Sequence, residues 1–197
     1  MNSVRLDHRI IYGIIKPQAK VLDLGCGNGD LLSFLVKEKK VKAQGIELNE
    51  EAIYNCVEKG LSVFHGDIES GLAGYPDKSF DYVILNQSMQ EVKKVDYVLG
   101  ESLRIGKNVI VGFPNFTYFR ARFRIFFKGK VPITASLPYR WYNTPNLHFL
   151  SISDFRDFCR EKNIRVLKKF YLGRKKSIKV FPNLFALNAI FVITANG

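Results

Sequence analysis

Cysteine is scarce in this chain of 197 residues: Cys26, Cys56 and Cys159 are widely spaced and odd in number. That pattern excludes a disulfide framework and offers no ligand spacing for a zinc site, so no metal centre is expected. Long apolar runs are also missing, and none approaches the length needed to cross a bilayer. The first residues, MNSVRLDH, lack the basic-then-apolar order of a signal peptide, so a cytoplasmic chain is expected. Acid is in short supply, with 18 Asp and Glu against 30 Lys and Arg, a net charge of +12 and a pI near 9.6. Such a balance raises nucleic acid, an anionic membrane or an acidic protein as partners. No helix-turn-helix, zinc-finger, RRM or KH pattern accompanies it, so no specific nucleic-acid partner is predicted. At 47% hydrophobic, the length suffices for one well-buried core and is short for two, which predicts one domain over 1–197.

What is present begins with the run VLDLGCGNG at 21–29, an apolar strand that ends on an acid and breaks into a glycine-rich turn. Glycines let the backbone turn tightly and bring its N–H groups to a ligand, and the following helix adds its positive end. The dinucleotide fingerprint G-x-G-x-x-G fails because Asp30 stands where its third glycine belongs, and no Gly-Lys-Ser/Thr follows for a phosphate-binding loop. Asp23 would repel a pyrophosphate and attract a cation. S-adenosylmethionine (SAM) is cationic, and D-x-G-x-G-x-G after a first strand resembles the cofactor motif of class I SAM-dependent methyltransferases. Gly25, Cys26, Gly27, Asn28 and Gly29 are the candidate cofactor loop. Cys26 fits there as a small residue in a tight turn rather than as a reactive thiol.

Two further strands end on acids. KAQGIE at 42–47 places Glu47 about 20 residues on, where a ribose-binding acid belongs in nucleotide-binding α/β folds, with Leu48 beside it. LSVFHGDI at 61–68 ends on Asp67 and Ile68. In the methyltransferase family the acid at Asp67 faces the adenine amino group and the apolar residue at Ile68 packs on the ring. Ligands of open α/β sheets bind outside the carboxyl ends of the strands, so the three acids converge on one crevice.

Apolar spacing gives the order of elements. A leading helix over 5–15 is followed by strands at 20–24, 42–47, 61–65, 79–86 and 108–113. Helices at 30–39, 50–57 (capped by Asn49) and 92–104 alternate with them, which implies a parallel sheet covered on both faces. From Pro114 to His148 the pattern breaks; this stretch holds four of the seven prolines and much of the aromatic content, and is the candidate substrate cap. Within it Phe116, Phe119, Phe123, Phe126 and Phe127 share a helical face flanked by Arg120 and Arg122, with Arg124 and Lys128 beyond. That face can pack on the chain's own core, meet a partner helix, or give weak peripheral binding to an anionic membrane. A helix from Ser151 or Ser153, a strand at 165–171 and a last strand at 187–194 complete the chain. The last two strands form an edge pair around the basic loop 173–183.

Beyond the cofactor loop, GIE at 45–47, KGLSV at 59–63, GD at 66–67, SFDYV at 79–83, NQSMQ at 86–90, FPNF at 113–116 and above all LPYRWYNTPNLH at 137–148 resemble the methionine biosynthesis protein MetW family over nearly the whole chain. The resemblance implies a Rossmann-like class I methyltransferase fold with a mainly parallel seven-stranded sheet, and SAM or S-adenosylhomocysteine as cofactor. It also implies a role beside homoserine O-acyltransferase as accessory or regulatory partner. The other reading is an active methyltransferase on a small metabolite. Leu48-Asn49 replaces a more acidic dipeptide and Asn86 stands where Ser is usual. Asn86 and Gln87 are candidates for the methionine part of the cofactor, with Ser88 able to bond there or to cap a helix. The N/D-P-P-aromatic motif of amine-modifying methyltransferases is absent. His148 is the candidate base, with a role in fixing the cap as the alternative. Tyr139, Arg140, Trp141 and Tyr142 can line a substrate pocket or form a docking patch for a protein.

Overall fold

The computed structural model describes residues 4–196. Helix α1 (Leu6–Ile14), strand β1 (Lys20–Leu24), helix α2 (Asp30–Lys39), strand β2 (Lys42–Glu47), helix α3 (Glu50–Glu58) and strand β3 (Val63–His65) alternate through the first third. Strand β4 (Phe80–Asn86), a 3₁₀ turn at Met89–Glu91, helix α4 (Val95–Ile105) and strand β5 (Gly106–Pro114) follow. Helix α5 (Phe119–Lys128), an irregular stretch, helix α6 (Ile152–Glu161), strand β6 (Ile164–Leu172), the short helix α7 (Pro182–Phe185) and strand β7 (Asn188–Ala195) complete the order.

The seven strands form one sheet in the order β3-β2-β1-β4-β5-β7-β6. Ladders from β3 through β5 are parallel, while β7 runs antiparallel to both β5 and β6. The sheet is therefore mixed: β7 returns as a hairpin and inserts between β5 and β6, because a return without a crossover helix can pair only antiparallel. β6 alone is the edge on that side. Strand order reverses at β1, between β2 and β4, and places a crevice at the carboxyl ends of these strands.

Period-two alternation splits the sheet's side chains between two cores. Val21, Ile84, Ile110, Ile190 and Val192 face Ile11 of α1, Leu31, Leu32 and Leu35 of α2 and Cys56 of α3. Leu22, Leu24, Val83, Leu85, Val109, Val111, Phe191 and Ile193 face Val98, Leu99 and Leu103 of α4 and Ile152, Phe155 and Cys159 of α6. Phe113 anchors this second core, its ring centroid 4.9 Å from Phe155 and 5.8 Å from Phe191. Asn49 caps α3 by accepting from Ala52 N–H at 2.9 Å. Of the two expected caps for α6, Ser151 is the one used, in a reciprocal box with Asp154.

Three expectations need adjustment. β3 starts at Val63 rather than Leu61, because Leu61 lies beneath the glycine loop. The helix expected from residue 92 starts at Val95, after the 3₁₀ turn. Phe116 lies ahead of α5 and pairs with Phe149 at 4.8 Å, so it does not join the Phe row of that helix.

Candidate functional site

The turn after β1 is shaped by its glycines. Gly25, Gly27 and Gly29 all take positive φ (75°, 53° and 72°). A Cβ at Gly25 would lie 2.7 Å from Ser88 Cβ, and one at Gly29 would lie 2.5 Å from Leu61 Cδ1 and 2.7 Å from Cys56 Sγ. At Gly27 a Cβ would meet open space, so only the φ requires glycine there. Asn28 ties the loop to α3: its carbonyl accepts from Lys59 Nζ at 2.5 Å and its Oδ1 accepts from Asn55 Nδ2 at 3.2 Å.

Asp23, one residue before the end of β1, has only 3% of its surface exposed. Burial pushes its carboxyl up to about 7, and the charge of Glu47 adds to the rise. No cation or donor among the described residues pulls it back. A buried carboxylate left without a compensating partner is costly in its charged form, and an incoming cation removes that cost.

Glu47, at the end of β2, spans the loop. Its Oε2 accepts the Gly27 N–H at 2.8 Å, while Oε1 accepts the N–H groups of Leu48 at 2.9 Å and Asn49 at 3.0 Å. Two carboxylate oxygens offer about four lone-pair sites, so a free site remains on Oε2 for a hydroxyl. Leu48 is 58% exposed at the rim. Gly66 N–H donates to Glu47 O at 3.1 Å, which brings Asp67 alongside. Asp67 is exposed, with Oδ1 accepting from Glu69 N–H at 2.8 Å, and Ile68 is buried in the α4-side core.

The floor comes from the end of β4. Asn86 Nδ2 donates to Asp7 Oδ2 of α1 at 3.1 Å, while Asn86 Oδ1 is buried without a partner. Burial alone would raise Asp7, but the bonds from Asn86 and Arg5 outweigh it and hold the carboxyl below its ordinary value. Gln87 has φ 69° and donates its N–H to Gly112 O at 2.7 Å. Ser88 is a clamp: its hydroxyl donates to Leu24 O at 2.6 Å, and its Cβ fills the space that a side chain at Gly25 would need. Glu91 also faces this region, raised by partial burial and by the charge of Glu47. Asp7, Asp23, Glu47, Asp67 and Glu91 thus gather at one end of the sheet in a chain whose net charge is +12. Local negative charge in a basic chain selects a cationic ligand.

Cys26 is inert. Burial first, and then the charge of Asp23, push its thiol far above the ordinary range. Among the described residues there is no cluster of metal-ligating side chains.

The cap residues lie apart from this crevice. Tyr139, Arg140, Trp141 and Tyr142 are exposed, Arg140 Nη1 bonding Tyr142 Oη at 3.1 Å and Trp141 standing edge-on to Tyr142. The hollow behind them, between Phe116, Val131 and Phe149, encloses about 10 Å³, room for a water at most. His148 Nε2 bonds Val92 O at 2.9 Å, and its ring lines a cleft with α4 and α6. It is not brought together with Asp23 and Glu47, and its bond is that of a residue fixing the cap. Gln90, which sequence reasoning did not single out, joins the two regions. Its Nε2 donates to Gln87 O at 2.6 Å, and its carbonyl accepts from Leu147 N–H at 2.9 Å and His148 N–H at 3.1 Å.

Comparison with known proteins gives the chain its relatives. The family described as "Methionine biosynthesis protein MetW" matches residues 5–193. The "Bifunctional methionine biosynthesis protein MetXA/MetW" of Rhodopirellula baltica is 32% identical over 190 residues, 92% of this chain and 30% of that protein. The chain thus spans about a third of that relative's length. Among solved structures, a SAM-dependent methyltransferase of Thermotoga maritima described as a possible histamine N-methyltransferase superposes with a TM-score of 0.69 at 21% identity, covering 97% of this chain and 92% of that one. A SAM-dependent methyltransferase of Archaeoglobus fulgidus gives 0.66 at 16% identity, covering 94% and 93%. These likenesses establish the class I methyltransferase fold.

Proposed function

The chain belongs to the MetW family of methionine biosynthesis proteins, and on that premise we propose that it binds SAM or S-adenosylhomocysteine and acts as an accessory partner of homoserine O-acyltransferase, with the cofactor reporting pathway output. The observation that carries the cofactor half is Asp23, a buried acid with no compensating group. Asp23 and the glycine loop meet the cationic amino-acid part of the ligand, with Asn86 and Gln87 beneath it. The free site on Glu47 takes a ribose hydroxyl, Asp67 the adenine amino group, and Leu48 with the edge of Ile68 the ring. When bound, SAM supplies an activated methyl group.

The partner half is supported by the Rhodopirellula relative, whose name joins a MetXA and a MetW part in one chain. In this reading the MetXA part is the acyltransferase. The test is homoserine acylation by the purified acyltransferase of the same organism, titrated with this protein with and without SAM. Saturable stimulation that changes with SAM supports the proposal. A Glu47→Ala variant that loses the cofactor but keeps full, unmodulated activation defeats the sensor.

A second reading, methyl transfer to a small metabolite, is favoured by one observation. A cleft of about 780 Å³ lies between α1 and the β6–α7 loop, lined by Arg5, Arg9, Arg174 and Lys175, and it reaches Asp7, which is bonded to Asn86 of the crevice floor. An acceptor there would be anionic. Formation of S-adenosylhomocysteine with such an acceptor would establish this reading.

A further inference from the structure

Helix α5 presents its aromatic side to solvent. Phe119, Phe123, Phe126 and Phe127 stand at i, i+4, i+7 and i+8, within about 100° of one another at 3.6 residues per turn. Phe126 is 82%, Phe127 65% and Phe123 56% exposed, and their rings touch one another, tilted at 4.4 Å between Phe123 and Phe127 and edge-on at 4.8 Å between Phe126 and Phe127. Ala121, the residue α5 buries, lies on the opposite side. Phe123, Phe126 and Phe127 therefore point away from the chain's own core, while Phe119, 38% exposed, packs edge-on to Phe185 of α7 at 5.9 Å. A contiguous exposed aromatic face of this kind marks an interaction site, and the spacing is that of a helix that docks in a groove.

The charge around it has one sign. From residue 102 to residue 153 the sequence holds eight Lys and Arg and no Asp or Glu. Among the described residues, none of Arg120, Arg122, Arg124, Lys128, Lys130 and Arg140 forms an ion pair with an acid. The face extends onto the cap, since Arg124 Nε donates to Val131 O at 3.1 Å, and Val131 shares its hollow with Trp141, itself 74% exposed.

We propose that this acid-free aromatic face is the surface that docks on homoserine O-acyltransferase, with α5 laying its Phe row into an apolar groove whose rim carries carboxylates. The inference rests on the partnership proposed above and adds where and how it is made. Charge complementarity sets the rim: unpaired arginines on both flanks of the row require acids opposite. Three of the four cations on α5 are Arg, whose planar fork pairs carboxylates in two-bond geometry. Trp, Tyr and Arg on the adjoining cap are the side chains that dominate protein interfaces. A relative that carries both parts in one chain favours a protein over a lipid surface as occupant.

The test uses the full chain and the purified acyltransferase of the same organism, with affinity read by calorimetry. Three proteins are compared: the wild type, Phe123→Ala/Phe126→Ala/Phe127→Ala, and Arg120→Glu/Arg124→Glu. These side chains are outside the cofactor crevice, so S-adenosylhomocysteine affinity and circular dichroism monitor folding. The triple variant is expected to bind at least a hundredfold more weakly. The charge-reversed variant is expected to bind more weakly, with a flattened salt dependence of the affinity. If the wild type binds and the triple variant binds equally well, the location is overturned while the partnership stands. If the wild type does not bind, the partnership itself fails. Flotation of the wild type, but not the triple variant, with vesicles of anionic phospholipid in that case reassigns the face to a membrane. Sedimentation showing Phe-dependent self-association reassigns it to a second copy.

Discussion

Replacing Asp23 with Asn should make the ligand-free protein more stable while removing its ligand. Asp23 rises from an ordinary 3.8 to about 7 on folding, through burial first and the charge of Glu47 second. A folded-state value above the unfolded one means that the folded protein holds the proton more tightly. Stability is therefore full below about pH 4, falls as pH rises towards 7, and is level above that. Each pH unit is worth about 1.4 kcal/mol, so the carboxylate costs about 4 kcal/mol above pH 7, of which about 2 kcal/mol is lost between pH 5 and 7. Asparagine keeps the shape and lacks the charge. Urea unfolding of both proteins from pH 5 to pH 8, without ligand, should show the stability advantage of Asp23→Asn growing by about 2–3 kcal/mol across that range. Comparing variant with wild type cancels the titration of every other group. With S-adenosylhomocysteine present, only the wild type should gain stability, and its affinity should rise with pH up to about 7 as the ligand's ammonium stabilises the charged carboxylate. A stability difference that stays flat with pH would refute the argument, because Asp23 would then be charged in the free protein at no cost.

Other substitutions test the loop and the core. Gly29→Ala combines a positive φ with contacts at 2.5 and 2.7 Å and should cost about 2–4 kcal/mol in urea unfolding. Gly27→Ala, with the same hand of φ and open space, should cost about 1–2 kcal/mol, so the order of the two checks the packing argument. Phe113→Ala, which empties the centre of the α4-side core, should cost about 3–5 kcal/mol.

Sequence reasoning reached β1 and β2 to the residue, because apolar runs closed by an acid and a glycine leave little freedom in where a strand stops. The glycine loop was legible for a related reason: positive φ at Gly25, Gly27 and Gly29 is a requirement on residue type, visible in the chain itself. What the pattern could not carry was direction and long-range contact. Helical periodicity told which phenylalanines of α5 share a face but not that the face turns outward, since that depends on which side Ala121 buries. Glu47 was read as a free ribose acid, whereas its oxygens already accept from Gly27, Leu48 and Asn49. Ser88 beneath Gly25, Asp7 on Asn86 and the pairing of β7 with β5 all join residues more than 60 positions apart, and no local spacing encodes them.

The proposed sensor needs a physical route from the crevice to the surface it would control, and the fold offers a short one. The loop after β4 touches the glycine turn through Ser88 and Leu24, and Gln90 braces that loop from within by its side-chain bond to Gln87 O while its backbone carbonyl holds the cap by bonds from Leu147 and His148. Gln90 is 3% exposed and its Oε1 is buried without a partner, so the amide is held at one end only. Such a group can change partners when the loop moves. A ligand shifts a conformational equilibrium only by its difference in affinity for the two states, and coupling between sites is commonly about 1–3 kcal/mol, or 5–150-fold. Loss of a hydrogen bond worth about 1 kcal/mol removes much of that. Gln90→Leu keeps the volume and the backbone bonds but drops the amide. It should leave S-adenosylhomocysteine affinity within about threefold while cutting the effect of SAM on homoserine acylation to less than about threefold. If the SAM response survives intact in a variant that binds ligand normally, the cap is not moved through Gln90, and a route through α1 by way of Asp7 and Asn86 takes its place.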